Sequence, residues 1–287
     1  MAHSSPSPRI AFFGTPDRAV IVLDRLKQAG MMPELIVTQP DRPQGRKLVM
    51  TPPPAKVWAD KEKIKTLQPE DLKDKDLIKI LEQGAFDVFV VVAYGKILKK
   101  EILSIPKHGA INLHASLLPR LRGSSPVESA ILTDERATGV TIILMDELMD
   151  HGPVLGMKAV DLLEWPLPAD KLAAILVSEG AKLLIDILPG WIAGTVKAVE
   201  QDHSKATVTK KISKADGEID PNGDAYQNWL KFNAYLGWPT TYFFMEKHGK
   251  RMRVTITDAA YENGAFIIKK VVPEGKKEMS WEQFTRS

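Results

Sequence analysis

Residues 88–93, VFVVVA, form an apolar run of strand length with no polar alternation. Such a run needs cover on both faces, which is the setting of a central strand in a parallel sheet. The start of the chain agrees. Residues 9–13 read as a short apolar strand ending at Gly14-Thr15-Pro16, where Thr15 suits a helix cap and Pro16 a first turn. The helix that follows places Val20, Leu23 and Leu26 on one stripe, flanked by Ala19 and Val22, and Gly30 closes it before a strand at 35–38. A βαβ opening with doubly covered strands predicts an α/β, Rossmann-like N-terminal domain with a mostly parallel sheet. Its first turn lacks Gly-x-Gly-x-x-Gly, so a dinucleotide cofactor is not supported.

Residues 39–54, QPDRPQGRKLVMTPPP, are expected to be irregular because of prolines at 40, 43, 52, 53 and 54. Arg42, Arg46 and Lys47 make this loop basic, either as a solvated surface or as a phosphate-contacting arm beside a strand end. Helices are expected at 55–65, 72–83, 99–103 and 126–132, and strands at 138–145 and 154–160. The longest helical pattern, 167–188, should stop at Pro189-Gly190. Composition then changes. Residues 191–205 read as an extended linker, and short strands at 207–212, 241–244, 251–257 and 265–272 surround one helix near 224–235. The expected organisation is a catalytic domain at 8–190, a linker at 191–205 and a small, mostly β domain at 206–287.

The chemistry is concentrated in residues 109–123, GAINLHASLLPRLRG. Asn112 and His114 stand two apart on an expected strand, so both side chains leave the same face. Alone, the pair is equally compatible with local backbone satisfaction. With Asp150, in a turn-rich loop after the strand at 138–145, it supplies what acyl transfer without a covalent enzyme intermediate requires. Asn112 offers a donor to a developing oxyanion, His114 a donor or proton acceptor, and Asp150 an orienting carboxylate that also shuttles a proton. No serine sits in a nucleophile-elbow setting. No histidine spacing suggests a metal site: His114 and His151 could share a metal with Asp150, but the two histidines have no further spaced partner, and no metal is expected.

Composition bounds the remaining classes. The 287 residues include no cysteine, which rules out disulfides and a cysteine nucleophile and fits a reducing cytoplasm. No apolar run approaches the roughly 18 residues of a membrane span, and MAHSSPSPR lacks the apolar segment of a secretory leader. A formal charge of +3 is too small to mark a nucleic-acid binder by itself.

Asn112-Leu113-His114-x-Ser116-Leu117-Leu118-Pro119 with Gly123, followed by Asp150, resembles the signature of the folate-dependent formyltransferases. FFGTPDRAV (12–20), TQPDRPQGR (38–46), VVVAYGKIL (90–98), TGVTIILMDELMDHGP (138–153) and KISKADGEID (211–220) extend the resemblance along nearly the whole chain. It implies transfer of a formyl group from 10-formyltetrahydrofolate to the α-amine of methionine on initiator tRNA. It also implies that Asn112, His114 and Asp150 are catalytic and that Ser116, Leu117, Leu118 and Pro119 lie against the folate. Tyr94 and Gly95 would line the pterin pocket. Arg42, Arg46 and Lys47 would approach the tRNA acceptor end, and Lys211 matches a basic position at the start of the C-terminal domain. The implied C-terminal fold is an OB-like β-barrel, here truncated, because the stretch between Arg253 and Pro273 is shorter than the family pattern by about a hairpin. A monomer in the cytoplasm is expected. N-formylation of an amino sugar nucleotide uses the same three groups and is the alternative, as is folate-dependent hydrolysis with water in place of the amine.

Overall fold

A computed structural model of the protein describes residues 7–45, 48–247 and 249–286. Arg46 and Lys47 therefore lie outside the described residues. The chain divides into two compact units. The first comprises Met1–Arg122, Gly139–Val160 and Ala174–Thr207, and the second Gly123–Thr138, Asp161–Ala173 and Val208–Ser287.

The chain begins with β1 (Ile10–Gly14), α1 (Asp17–Gln28), β2 (Leu35–Val37), β3 (Arg42–Gln44), β4 (Val49–Thr51) and α2 (Pro54–Glu62). It continues through β5 (Lys65–Leu67), α3 (Lys75–Gln83), β6 (Val88–Val92), α4 (Lys100–Leu103) and β7 (Ala110–His114). After α5 (Pro126–Leu132) come β8 (Thr138–Leu144), β9 (Val154–Val160) and α6 (Ala169–Ile192). Seven of these strands form one sheet in the order β5-β2-β1-β6-β7-β8-β9. The pairs from β5 to β7 are parallel, and β8 runs antiparallel to β7.

All five residues of β6 are buried, as a strand covered on both faces requires. Val88, Val90 and Val92 pack into one cluster with Val22 and Leu26 of α1, Trp58 of α2 and Leu184 of α6. Phe89 and Val91 point the other way, into a cluster with Leu77 and Leu81 of α3 and Ile102 of α4. The same alternation places Ile111 and Leu113 of β7 in the first cluster. Asn112 and His114 consequently leave β7 on the opposite face.

Three expectations for this unit are corrected. Thr15 does not cap α1. Pro16 is the N-cap, and the Thr15 hydroxyl donates instead to the Tyr94 carbonyl at 3.0 Å. The proline-rich loop is not irregular, because β3 and β4 pair as an antiparallel ribbon with Pro43 opposite Met50. A two-stranded ribbon is all edge, where a residue without an N–H is tolerated. Third, α6 passes through Pro189 to Ile192. Proline removes one hydrogen bond, but Trp191 and Ile192 pack against the core and the Trp191 indole donates to the His108 carbonyl at 2.9 Å.

The second unit carries α7 (Ala225–Tyr235), β10 (Thr241–Lys247), β11 (Lys250–Glu262), β12 (Ala265–Pro273), β13 (Met279–Ser280) and α8 (Trp281–Arg286). The four strands form an antiparallel sheet in sequence order. Phe232 of α7 and Phe284 of α8 share its core with Val254, Ile256, Ile268 and Val271. Among the described residues the sheet is open, with β13 at one edge and a single bridge from Glu218 on the outer side of β10. The strand expected at 207–212 is absent. The backbone of Thr207 instead serves Arg122 and Pro119, donating to the Pro119 carbonyl and accepting from the Arg122 amide.

Candidate active site

In open α/β sheets ligands bind beyond the carboxyl ends of parallel strands, and the ends of β6 and β7 carry the polar residues here. β7 is held on both sides, by β6 and by β8, with Asn112 opposite Ile143 and His114 opposite Thr141. Asp150 reaches the same place from the loop between β8 and β9. The Asn112 amide nitrogen donates to Asp150 Oδ1 at 3.3 Å, and His114 Nδ1 lies 3.5 Å from the same oxygen. An amide, an imidazole and a carboxylate, the last 38 residues from Asn112 in sequence, thus meet at one atom.

His114 is only 5% exposed, and its other ring nitrogen, Nε2, is 2.9 Å from the Leu121 carbonyl. A carbonyl oxygen only accepts, so the proton of that contact is on Nε2 and Nδ1 is the nitrogen turned to Asp150. Leu121 and Asp150 both have left-handed backbones, at φ 58° and 51°. Such conformations cost non-glycine residues about 1–3 kcal/mol and persist where surrounding contacts fix them.

Those contacts are polar and buried. Gln201 donates its side-chain amide to the carbonyls of Asp150, at 2.9 Å, and Gly152, at 2.7 Å. Its oxygen accepts from Arg122 Nε and Nη2 at 3.2 and 2.7 Å. The same Nη2 lies 2.8 Å from His203 Nδ1. The His203 ring stacks on that of His151 at 4.1 Å, and His151 Nδ1 lies 2.6 Å from Asp146 Oδ2. Just beyond Gln201, the Ser204 hydroxyl and the Lys205 ammonium hold the Asp202 carboxyl down to about 2. None of Arg122, Gln201 or His203 stands out from sequence, since partners about 80 positions apart leave no local pattern.

The other expected residues fall as follows. Ser116 is buried, its hydroxyl donating to the Arg120 carbonyl at 2.7 Å. Thr141 ties the turn after β7 by donating to the Ser116 carbonyl and accepting from the Leu118 amide. Leu118 is buried, Leu117 and Pro119 are partly exposed, and the Leu118–Pro119 peptide is cis. Tyr94 lies inside the second core cluster, edge-on to Phe13 at 5.4 Å. Its hydroxyl has no partner among the described residues, and burial pushes it up to about 12. The Tyr94 carbonyl accepts from Thr15 and from Gln39, both at 3.0 Å, and Gly95 follows at φ 86°, a conformation that favours glycine. Arg42 is exposed on β3 and paired with Glu70 at 2.9 Å, and Lys211 is exposed in the second unit. The ribbon also exposes Leu48, Val49 and Met50. Among the described residues no three His, Cys, Asp or Glu side chains gather so as to hold a metal ion, and no helix is long and apolar enough to cross a membrane.

A doubly covered sheet with these three groups at one strand edge is the equipment of an acyl-transfer enzyme, and residues 8–188 match the family model described as formyl transferase. The methionyl-tRNA formyltransferase of Chloroflexus aurantiacus is 42% identical over 259 residues, covering 90% of this chain and 83% of that protein. That of Bacillus velezensis is 38% identical over 308 aligned positions, covering 97% and 94%. The chain belongs to the methionyl-tRNA formyltransferase family. Among solved structures, the methionyl-tRNA formyltransferase of Clostridium thermocellum superposes with a TM-score of 0.60 at 18% identity, over 93% of this chain and 98% of that one. A 4-N formyltransferase from Francisella tularensis gives 0.65 at 17% identity, over 86% and 96%. At those identities the likeness speaks for the fold.

Proposed function

We propose that the protein transfers the formyl group of 10-formyltetrahydrofolate to the α-amine of methionyl initiator tRNA, with Asn112, His114 and Asp150 as its catalytic residues. The observation that carries this reading is the meeting of Asn112 and His114 at Asp150 Oδ1, at 3.3 and 3.5 Å. The folate supplies a formyl carbon on a nitrogen that leaves readily. Asn112, with a second N–H beyond the one given to Asp150, stabilises charge developing on the formyl oxygen, a contribution typically worth 10²–10³ in rate. Asp150 takes the proton that the attacking amine loses. As the new C–N bond forms and the old one breaks, that proton passes to the departing folate nitrogen, so the step needs no further reactant. His114 is oriented by Leu121 and keeps Nδ1 within reach of Asp150, and such proton transfer is worth about 10²–10⁴. An α-amine with an ordinary pKa of about 7.7–8.0 is partly free at neutral pH, so positioning matters more than a strong base.

In this reading residues 8–190 carry the chemistry, and Ser116, Leu117, Leu118 and Pro119, with Tyr94 and Gly95, border the folate. Arg42, Arg46 and Lys47 face the acceptor end of the tRNA and Lys211 its backbone, in a cytoplasmic, monomeric enzyme. The test is an acceptor panel. The protein is incubated with 10-formyltetrahydrofolate and either methionyl initiator tRNA or an amino sugar nucleotide, and tetrahydrofolate release is followed. Turnover with the tRNA alone is expected, with an apparent KM that rises steeply between 50 and 200 mM salt as phosphate contacts release counterions. Turnover with the sugar alone, or release without any acceptor, overturns the proposal in favour of the sugar or the hydrolytic reaction.

A further inference from the structure

We propose that Arg122, acting through Gln201, is the positioning residue that holds His114 and Asp150 at their working separation. The inference rests on the catalytic assignment above and adds to it the device that sets its geometry. The two arms of the site arrive differently. His114 rides on a strand, but the atom that orients its ring is the carbonyl of Leu121, the residue immediately before Arg122. Asp150 rides on a loop, and the side chain that grips that loop is Gln201, which accepts two hydrogen bonds from the Arg122 guanidinium. One residue therefore governs the acceptor of the imidazole through its backbone and the carboxylate loop through its side chain.

Its own placement is fixed independently of either arm. The Arg122 amide donates to the Thr207 carbonyl at 2.8 Å, and the Leu121 amide donates to the Thr207 hydroxyl at 2.8 Å. The guanidinium is buried, with the residue 8% exposed. Burying that charge is costly, so mere space-filling would be served better by an apolar side chain. Arginine is suited to this position because its rigid fork presents several donors at once, here two to Gln201 and a shared one to His203. Through His203, stacked on His151, the clamp also reaches Asp146 at the start of the same loop. The loop is thus gripped at Asp146, Asp150 and Gly152 from one centre.

The discriminating variant is Gln201→Glu. It keeps the size of the side chain and an oxygen for Arg122, and gives the buried guanidinium a charged partner. It removes both N–H donors to the loop carbonyls. If the clamp positions Asp150, kcat per folded molecule falls about 10- to 100-fold while the KM of both substrates stays within about threefold. Arg122→Met should show the same split between kcat and KM, with a lower Tm. Asp150→Asn is measured alongside to separate the two claims. Asp150→Asn with the parent kcat overturns the catalytic assignment itself. A crippled Asp150→Asn beside a fully active Gln201→Glu, or a Gln201→Glu defect confined to KM, overturns the clamp and leaves the assignment standing.

Discussion

The strand arm and the loop arm of the site show two ways of fixing a side chain. Asn112 and His114 sit on a five-residue strand paired on both sides, so the backbone ladder that builds the sheet also aims them. Asp150 has no ladder. It stands at φ 51° in a loop whose carbonyls are held by a glutamine 51 residues away. Strand residues inherit their direction from the period-two alternation of the backbone, whereas a loop residue needs specific polar contacts to hold one conformation. A fault in the first arm should remove a chemical group and leave its neighbours alone. A fault in the second should leave every group present and misplace one of them.

The largest effect belongs to the strand arm. His114→Ala should lower kcat by about 10²–10⁴ while the folate still binds, read by steady-state turnover beside a fluorescence titration with the folate. An active variant would refute the role of the imidazole. Next comes Gly152→Ala in the loop arm. A Cβ there would run into the backbone oxygen of Leu144 and sits beside the Asp146 amide, neither of which is the yielding end of a flexible side chain. The loop must shift, and Asp150 lies two residues away. A kcat loss of about 10²-fold is expected with the side chains of Asn112, His114 and Asp150 all intact, since a misplacement of about 1 Å has that cost. A Gly152→Ala enzyme with parent activity would show that the loop tolerates movement and would erase the contrast between the arms.

The same contrast explains what was legible in the sequence. β7 and α5 form over the residues their patterns indicate, and β6 follows its apolar run, because strand and helix periods are local properties. Asn112 and His114 were visible as a pair for that reason. Asp150 is legible only as a carboxylate in a turn-rich loop just beyond a strand, since nothing in its own neighbourhood says which side chain it will meet. Arg122 and Gln201 were invisible, because a guanidinium and an amide 79 residues apart leave no periodic trace. The ribbon at β3 and β4 was hidden by prolines that argue against strands in general but not against edges. Residues 207–212 had the composition of a strand, yet Thr207 spends its amide, carbonyl and hydroxyl on residues 119–122. At Thr207, as at Arg122 and Gln201, long-range polar partners decide what no local pattern shows.

The smallest expected effect sharpens the comparison from outside the site. β9 leads the loop arm away from Asp150, and its Lys158 pairs with Glu179 of α6 at 2.7 Å, while Lys182 meets the other carboxylate oxygen at 2.5 Å. The hydrogen bonds from Lys158 and then Lys182 pull the Glu179 carboxyl down from its ordinary 4.5 to about 2. A carboxylate depressed in this way stabilises the folded state above the unfolded value near 4.5, and that contribution disappears as pH falls toward about 2. Both lysines are exposed, so solvent screening limits the gain to about 0–1 kcal/mol. Glu179→Gln should therefore lower Tm slightly at pH 7, show no deficit near pH 2, and leave kcat at its parent value throughout the neutral range. If kcat falls with Glu179→Gln as it does with Gln201→Glu, the loop arm is governed by the exposed pair on β9 as well as by the buried clamp, and the strand and loop arms differ less than the buried contacts imply.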